Sequence, residues 1–166
     1  MSDIVIDRVR PGDLTAIMRD FERFWGDREL LRALHHPMFF CEFAETALVA
    51  RRGAGDTSEI AGYLLGFVAP AGYGCIHLVA VRDDARGLGL GRRLYQRFAA
   101  TAAQHGATAL KAITSPENEG SIAFHRRMGF AEITLDPDYL GSGRPRVIMR
   151  RLLEPGGQPG PREPEI

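Results

Sequence analysis

The sequence has few cysteines and no excess of charge of either sign. Only Cys41 and Cys75 occur among its 166 residues, which is too few for a disulfide framework. The 21 Lys and Arg residues balance the 21 Asp and Glu residues, so no overall field draws the chain to nucleic acid or to an anionic membrane. The first residues, MSDIVIDRVRPG, lack the apolar core of a signal peptide. We therefore expect a cytoplasmic protein that binds neither nucleic acid nor a membrane, and any basic site must be local.

One uncharged run, Ile60 to Val81, is long enough to cross a bilayer. It contains Pro70 and several glycines, and the segment PAGYG divides it into two short runs rich in β-branched and aromatic residues. This pattern is typical of two buried strands joined in a hairpin rather than of a membrane helix.

The remaining periodicities predict one domain. A strand over Ile4 to Val9 is followed by a helix that Asp13 caps and that carries apolar residues as far as Trp25, and a long helix runs from Leu90 to Gln104. Ser115 and Pro116 are expected to open a further helix. The predicted order, βααβββαβαββ, is a mixed α/β (α+β) fold with a mostly antiparallel central sheet of about seven strands and about four helices. The domain spans residues 1–153, and the proline-rich and glycine-rich tail 154–166 is expected to be disordered.

Three glycines alternate in the segment DARGLGLGRRLYQRF, at positions 87, 89 and 91, directly before the long helix. A tight turn needs one glycine, whereas three leave a row of unshielded N–H groups beside the positive end of a helix dipole. Arg86, Arg92 and Arg93 add positive charge where it opposes the helix dipole, so the segment predicts a phosphate site. The spacing fits neither a nucleotide-hydrolase loop, which needs Lys-Ser or Lys-Thr, nor a dinucleotide fingerprint.

RGLGLG, Arg86 to Gly91, resembles the pyrophosphate loop of the GNAT superfamily of acyl-CoA-dependent N-acetyltransferases, and VAV, Val79 to Val81, resembles the strand before it. NEGSIAFHRRMGF, Asn118 to Phe130, is similar to a later helix of that family. The resemblance implies a GNAT-like fold, acetyl-CoA as the co-substrate and no metal. The coenzyme-binding residues that it implies are Val79, Ala80, Val81, Arg86, Gly87, Leu88, Gly89, Leu90, Gly91, Arg92, Asn118, Ser121 and Phe124.

Two histidines are the candidate catalytic residues. His125 stands where the family usually has a tyrosine that protonates the departing thiolate, and an imidazole can donate a proton near neutral pH. His77 precedes Val79 by two residues and, by strict alternation, shares a side of the strand with Val79 and Val81. The family often has a glutamate there that serves the amine. We expect His125 to act as the general acid and His77 as the base, with a packing role as the alternative for each.

The resemblance also implies that the aromatic residues of the first helices cover the acceptor site. Trp25 and Asp27 suit a cationic amine, because an aromatic face and a carboxylate both attract positive charge, and Phe39 and Phe40 are weaker candidates. His35 and His36 are expected in a surface turn rather than a metal site, since no further ligand follows at zinc spacing.

The resemblance, together with these residues, implies an N-acetyltransferase that acts on a primary amine of a small molecule or a peptide by direct attack. An acyl-CoA-binding sensor or structural module that has lost catalysis stays open, because the usual tyrosine is absent. The sequence also leaves open whether the chain works alone or as a homodimer.

Overall fold

The computed structural model describes residues 4–53, 55 and 58–154. Over this part of the chain a seven-stranded sheet has the order β1-β2-β3-β4-β5-β7-β6. The strands are β1 (Ile4–Arg8), β2 (Leu48–Arg52), β3 (Glu59–Ala69), β4 (Tyr73–Val81), β5 (Ala109–Thr114), β6 (Glu132–Asp136) and β7 (Arg146–Leu152). Only β4 and β5 pair in parallel, so the predicted mixed, mostly antiparallel sheet is confirmed. The tail 154–166, which the sequence analysis expects to be disordered, lies outside the described residues except for Glu154.

The helices cover both faces of this sheet. They are α1 (Pro11–Arg19), α2 (Phe21–Trp25), α3 (Met38–Cys41), α4 (Leu90–Gln104) and α5 (Glu119–Arg127), and a 3-10 segment, Glu29–Leu34, lies between α2 and α3. The uncharged run forms the hairpin β3–β4, as predicted. Among the described residues, no helix combines the length and the apolar character needed to cross a membrane.

Two helix starts differ from the sequence prediction. The first helix breaks at Asp20 into α1 and α2, and Asp13 lies in the first turn, where its carboxylate accepts the N–H of Arg10 at 2.7 Å. α5 begins at Glu119 rather than near Ser115, because Asn118 is its N-cap and accepts the N–H of Ser121. Short polar side chains of this kind compete for backbone groups and so set helix ends.

The core has two parts, one on each face of the sheet. The first lies beneath α4 and includes Leu64, Leu94 and Phe98; the second lies beneath α1 to α3 and includes Ile17 and Phe40. All five of these side chains are buried. The hairpin β3–β4 therefore has apolar cover on both faces, which explains why its sequence is an uninterrupted apolar run.

Glycines in the hairpin let α4 pack closely on it. A Cβ at Gly66 would lie 2.7 Å from the ring of Phe98 and 2.8 Å from the carbonyl oxygen of Cys75. A Cβ at Gly74 would lie 2.8 Å from that of Ala102. These separations are shorter than van der Waals contact, so the position of α4, and of the loop before it, depends on small residues here.

We predict that Gly66→Ala lowers the free energy of unfolding by about 1–3 kcal/mol, because the new methyl group overpacks the contact with Phe98. Urea unfolding measures the change. Gly12→Ala is the matched control, since a Cβ there meets nothing within 4 Å and lies in a helix, where alanine is favoured. Equal stability of the Gly66→Ala variant and the wild type would contradict the close packing.

Candidate functional site

The central feature of the site is a gap between β4 and β5. The two strands pair only over Tyr73–Ile76 and Ala109–Ala112, although β4 continues to Val81 and β5 to Thr114. Within the described residues, no strand pairs with the β5-facing edge of β4 beyond Ile76. This edge therefore presents free backbone groups to whatever enters the gap.

A β-bulge at His77 lies where the two strands part. Leu65 pairs with Leu78 and Gly66 pairs with Ile76, which leaves His77 as the extra residue of β4. A bulge shifts the alternation of side chains and bends the strand.

The bulge corrects one sequence expectation, that His77 shares a side of the strand with Val79 and Val81. The ring of His77 stacks on Phe39, which belongs to the second core, at a centroid distance of 4.6 Å. Val79 and Val81 pack against the first core instead. Strict alternation fails here because the extra residue changes its phase.

A cavity of about 820 Å³ occupies the gap. The 3-10 segment and the end of α2 form one wall, and the ends of β4 and β5 with α5 form the other. The residues that line the cavity include eight that the sequence analysis singled out: Trp25, Asp27, His77, Val79, Asn118, Ser121, Phe124 and His125. Phe39 and Phe40 are not among its lining residues and are buried in the second core.

His77 is held so that one of its ring nitrogens stays available. Its Nε2 lies 2.9 Å from the carbonyl oxygen of Leu34 in the 3-10 segment. A carbonyl can only accept, so Nε2 carries the hydrogen, and Nδ1 of the neutral ring keeps its lone pair. The side chain is exposed, and within the described part of the chain Nδ1 has no hydrogen-bond partner. His77 can therefore accept a proton at Nδ1.

His125 is held the opposite way, with both nitrogens occupied. Its Nδ1 donates to the carbonyl oxygen of Ser121 at 2.8 Å, and its Nε2 lies 2.7 Å from the hydroxyl of Tyr95. Because Nδ1 carries the hydrogen, the neutral ring accepts at Nε2 and Tyr95 donates. Burial lowers the pKa of His125 below its ordinary value and raises that of Tyr95.

Tyr95 is the site residue that sequence reasoning missed. It lies on the buried face of α4 with Leu94 and Phe98, and it also lines the cavity. The available signal was weak: a buried tyrosine needs a partner for its hydroxyl, but nothing in the sequence connects it to His125, 30 residues away.

His35 also differs from its expected place in a surface turn. It is buried, its Nδ1 donates to the carbonyl oxygen of Leu31, and its Nε2 lies 2.8 Å from the hydroxyl of Tyr63. The indole N–H of Trp25 donates to the same hydroxyl at 2.6 Å. These bonds fix Trp25 and the 3-10 segment at the cavity wall.

His36 is exposed, and among the described residues no cluster of three or more His, Cys, Asp or Glu side chains could hold a metal ion.

The alternating glycines form a second cavity of about 430 Å³ at the start of α4. Gly87 and Gly89 have φ angles of 80° and 68°, in the left-handed region that favours glycine. A Cβ at either position would meet nothing within 4 Å, so conformation rather than crowding requires glycine there. The N–H groups of Gly87 to Arg92 form no hydrogen bond with any described residue, and Gly89, the N-cap of α4, offers no capping side chain.

Positive charge surrounds these free N–H groups. Arg86, Arg92 and Arg127 line the second cavity, and none of them forms an ion pair with a carboxylate in the described part of the chain. Arg127 was not predicted. Arg93 points away, donating to the carbonyl oxygen of Ile4. Oriented N–H groups, a helix N-terminus and unneutralised cations together favour an anion such as a diphosphate. We call this site, Arg86 to Arg92 with Arg127, the cradle.

The loop is anchored by an ion-pair network just before it. Asp83 pairs with Arg23, and Asp84 pairs with Arg52 and with the buried Arg82. Hydrogen bonds from Arg23 and Arg52 lower the pKa of Asp83 and of Asp84, respectively. The acidic residues beside the loop are thus neutralised by cations other than those of the cradle.

Arg86 is shared between the loop and the strand. Its guanidinium donates to the carbonyl oxygens of Val81 at 3.3 Å and Phe24 at 3.2 Å, and so ties the loop to the ends of β4 and α2.

The remaining predicted coenzyme residues differ in their surroundings. Ala80 is buried in the second core, Leu88 is exposed, and Leu90 and Gly91 line the second cavity. Phe124 lines both cavities and therefore joins them.

Comparison with known proteins agrees with this geometry. The model of the acetyltransferase (GNAT) family matches residues 14–130. The chain belongs to the GNAT acetyltransferase family. The family and the fold expected from RGLGLG and NEGSIAFHRRMGF are thereby confirmed.

Two curated relatives of this GNAT chain are named as acetyltransferases of amino acids. L-methionine sulfoximine/L-methionine sulfone acetyltransferase of Pseudomonas aeruginosa is 37% identical over 81 residues, 44% of this chain and 47% of the relative. L-2,4-diaminobutyric acid acetyltransferase of Nocardia farcinica is 37% identical over 82 residues, 46% of this chain and 42% of the relative. The matched segments span less than half of either relative.

Solved structures share the fold at low sequence identity. Ribosomal-protein-S18-alanine N-acetyltransferase of Escherichia coli superposes with a TM-score of 0.65 at 18% identity, covering 95% of this chain and 98% of that one. Diaminobutyrate acetyltransferase of Paenibacillus lautus, solved with L-2,4-diaminobutyric acid and coenzyme A, gives 0.64 at 17% identity, covering 95% and 100%.

We predict that Gly89→Asp weakens binding of coenzyme A at least about 100-fold, because a carboxylate would stand beside the anion and the left-handed backbone would be strained. Calorimetry measures the affinity. Gly106→Asp is the matched control, since Gly106 also has a positive φ and open space beside it but lies at the far end of α4. Undiminished affinity in a folded Gly89→Asp protein would show that the cradle is elsewhere.

Stability should fall as the pH is lowered from about 7.5 to about 5. Burial lowers the pKa of His35 and of His125, so the unfolded chain, with ordinary values near 6.5, binds more protons in this range. The carboxyl groups with lowered pKa, Glu59, Asp83 and Asp84, add to the loss only below about pH 4.5. Urea unfolding at several pH values tests this.

The same experiment on the double variant His35→Gln with His125→Gln should show a free energy of unfolding that changes less with pH over this range. This holds whatever the two substitutions do to the absolute stability. A wild-type stability that stays constant across this range would contradict the neutral, buried state of both rings.

Proposed function

We propose that this chain transfers an acetyl group from acetyl-CoA to the primary amine of a small molecule or peptide, by direct attack within a ternary complex. The observation that carries the proposal is the anion cradle at Gly87 to Arg92, joined through Phe124 to a cavity that holds a proton acceptor, His77. The free edge of β4 beyond Ile76 lies between the two and suits the amide groups of a pantetheine arm. Membership in the GNAT family supports the same reading.

The acceptor is proposed to be a small amine with amino-acid character. Asp27 and Arg28 lie at the same wall of the larger cavity, and neither side chain forms an ion pair with a described residue. A carboxylate and a guanidinium side by side suit a substrate that carries both an ammonium and a carboxylate group. The two named relatives, which act on methionine sulfoximine and on diaminobutyric acid, support this class.

His77 is proposed to take the proton that the amine must lose. An alkylamine with a pKa near 10 is neutral in only about one molecule in a thousand at physiological pH, so a base is needed. The bond from Nε2 to Leu34 fixes the tautomer that leaves Nδ1 free. The stacking of the ring on Phe39 limits its rotation.

A covalent enzyme intermediate is not part of the proposal. Cys75 lies on β4, but burial raises the pKa of its thiol, which makes the thiolate scarce. Cys41 is exposed and does not line either cavity. These two free cysteines suit a reducing compartment, so the expected cytoplasmic location belongs to the same proposal.

The test is release of coenzyme A from acetyl-CoA with a panel of amines that differ in pKa and in the presence of a carboxylate. We expect turnover with amino-acid amines, and we expect His77→Gln to lower kcat/KM about 10²-fold or more, most severely for amines of high pKa. Gly12→Ala, at a position that lines neither cavity, is the control for the effect of a substitution as such.

Binding of acetyl-CoA without release of coenzyme A for any amine would instead favour the non-catalytic sensor or structural module. An equal effect of His77→Gln on amines of low and high pKa would leave the base unassigned and would contradict this role for His77.

A further inference from the structure

Three hydrogen bonds in series connect the wall of the larger cavity to the central sheet. The indole N–H of Trp25 donates to the hydroxyl of Tyr63 at 2.6 Å, and that hydroxyl lies 2.8 Å from Nε2 of His35. Nδ1 of His35 lies 2.8 Å from the carbonyl oxygen of Leu31. The two ends, Trp25 and Leu31, line the cavity, whereas Tyr63 lies on β3 and lines neither cavity. We call these four residues the Tyr63 network.

Each bond of the Tyr63 network has one possible direction. An indole N–H only donates and a carbonyl oxygen only accepts, so Nδ1 of His35 carries a hydrogen. Burial lowers the pKa of His35, which keeps the ring neutral, and its Nε2 therefore accepts from Tyr63. The hydroxyl of Tyr63 thus accepts one hydrogen and donates its own.

The network is closely packed as well as fully bonded. Tyr63 is 0% exposed and His35 is 5% exposed. The ring of His35 makes edge contacts with Phe21, Trp25 and Tyr63, at centroid distances of 5.7, 6.3 and 5.7 Å. A buried polar network whose members are all bonded holds a single arrangement. The network therefore fixes the orientation of Trp25 and of His35.

The 3-10 segment depends on the network because its own side chains add little to the core. The segment, Glu29–Leu34, is described in full, and none of its side chains is buried. Arg32 ties it to α1, since the guanidinium donates to the carbonyl oxygen of Met18 at 3.1 Å. The bond from His35 to Leu31 ties it, through Tyr63, to β3.

The proposed base depends on the same segment. Leu34 directly precedes His35, and its carbonyl oxygen accepts the Nε2 hydrogen of His77 at 2.9 Å. Asp27 lies between Trp25 and the segment in the sequence and lines the same wall. A shift of the segment would therefore move both the partner of His77 and the groups that are proposed to meet the amine.

We propose that Tyr63 is a positioning residue for the acceptor amine. Its hydroxyl touches no substrate, but it holds Trp25 on one side and His35 on the other. Through His35 it places the Leu34 carbonyl, which orients His77. This inference rests on the proposed acetyl transfer.

The role concerns the amine and not the coenzyme. The loop before the cradle is held by the ion pairs of Asp83 and Asp84. No bond of the Tyr63 network is made to a cradle residue. Loss of the Tyr63 hydroxyl should therefore change the kinetics of the amine and leave the affinity for coenzyme A as it is.

Tyr63→Phe tests the role, because it removes the hydroxyl and keeps the ring. At saturating acetyl-CoA with the amine varied, we expect kcat/KM for the amine to fall about 10-fold or more, since a small misplacement of reacting groups is costly. Calorimetry should give an affinity for coenzyme A within about twofold of wild type, because the cradle is independent of the network. Ile17→Val is the matched control. It removes a methyl group from the same core at a position that lines neither cavity, and it should leave kcat/KM and coenzyme A affinity within about twofold of wild type.

A second variant separates positioning from stability. His35→Phe removes the other partner of the same bond and keeps an aromatic ring, so it should lower kcat/KM as Tyr63→Phe does. The double variant removes both partners, and urea unfolding should show a smaller loss of stability than the sum of the two single losses. Its kcat/KM should nevertheless stay at least about 10-fold below wild type, because the wall is still not anchored. Activity that recovers together with stability would show a merely structural role.

The ring of His77 gives a readout in the resting protein. With ¹⁵N-labelled histidine, the nitrogen chemical shifts of His77 should show the hydrogen on Nε2 in the wild type and in Ile17→Val. Tyr63→Phe should move these shifts toward a mixture of tautomers, because the Leu34 carbonyl no longer fixes the ring.

Each remaining outcome has a distinct meaning. Wild-type amine kinetics in Tyr63→Phe, an equal loss in Ile17→Val, or unchanged His77 shifts in Tyr63→Phe would overturn the positioning role while leaving acetyl transfer in place. If Tyr63→Phe does not fold, His35→Phe decides by the same measurements. A wild-type protein that binds acetyl-CoA but acetylates no amine would overturn the proposed function and, with it, this role of Tyr63.

Discussion

The site depends on the early separation of β4 from β5. A parallel pair normally continues as far as both strands run, yet here it ends at Ile76 and Ala112. The bulge at His77 supplies the cause, because an extra residue bends β4 and shifts the phase of its side chains. A free strand edge in the middle of a sheet is otherwise a liability, so its retention beside two cavities indicates a binding surface.

The cradle follows from the same arrangement. β4 ends at Val81, the turn at Asp83–Ala85 is fixed by ion pairs, and the chain then enters α4 through two left-handed glycines. No side chain caps the first turn, so its N–H groups face the second cavity without partners in the described residues. An unsatisfied helix N-terminus among uncompensated arginines is stable only when water or an anion completes it.

Local patterns in the sequence predicted what depends on local physics. The order of elements, the hairpin from Ile60 to Val81 and the cradle glycines follow from periodicity, turn residues and the conformational freedom of glycine. The placement of Trp25 and Asp27 at the cavity rested on the family resemblance, and the structure brings them there.

Contacts that join distant parts of the chain could not be predicted in this way. The phase shift at His77 depends on its register with β3, and the burial of His35 depends on Tyr63, 28 residues later. The pairing of Tyr95 with His125 requires α4 and α5 to be adjacent in space, which no spacing within either helix indicates. The motif pointed to the position of His125 but gave no information on which of its nitrogens is free.

A structure of the protein with coenzyme A bound tests the central claim most directly, that the cradle and the separated strands form one continuous site. The diphosphate should accept hydrogen bonds from the N–H groups between Gly87 and Arg92, the pantetheine arm should pair with β4 between Leu78 and Val81, and the sulfur should lie in the cavity that His77 lines. Coenzyme A bound away from Gly87 to Arg92, or a β4 edge closed by β5 in the complex, would contradict it.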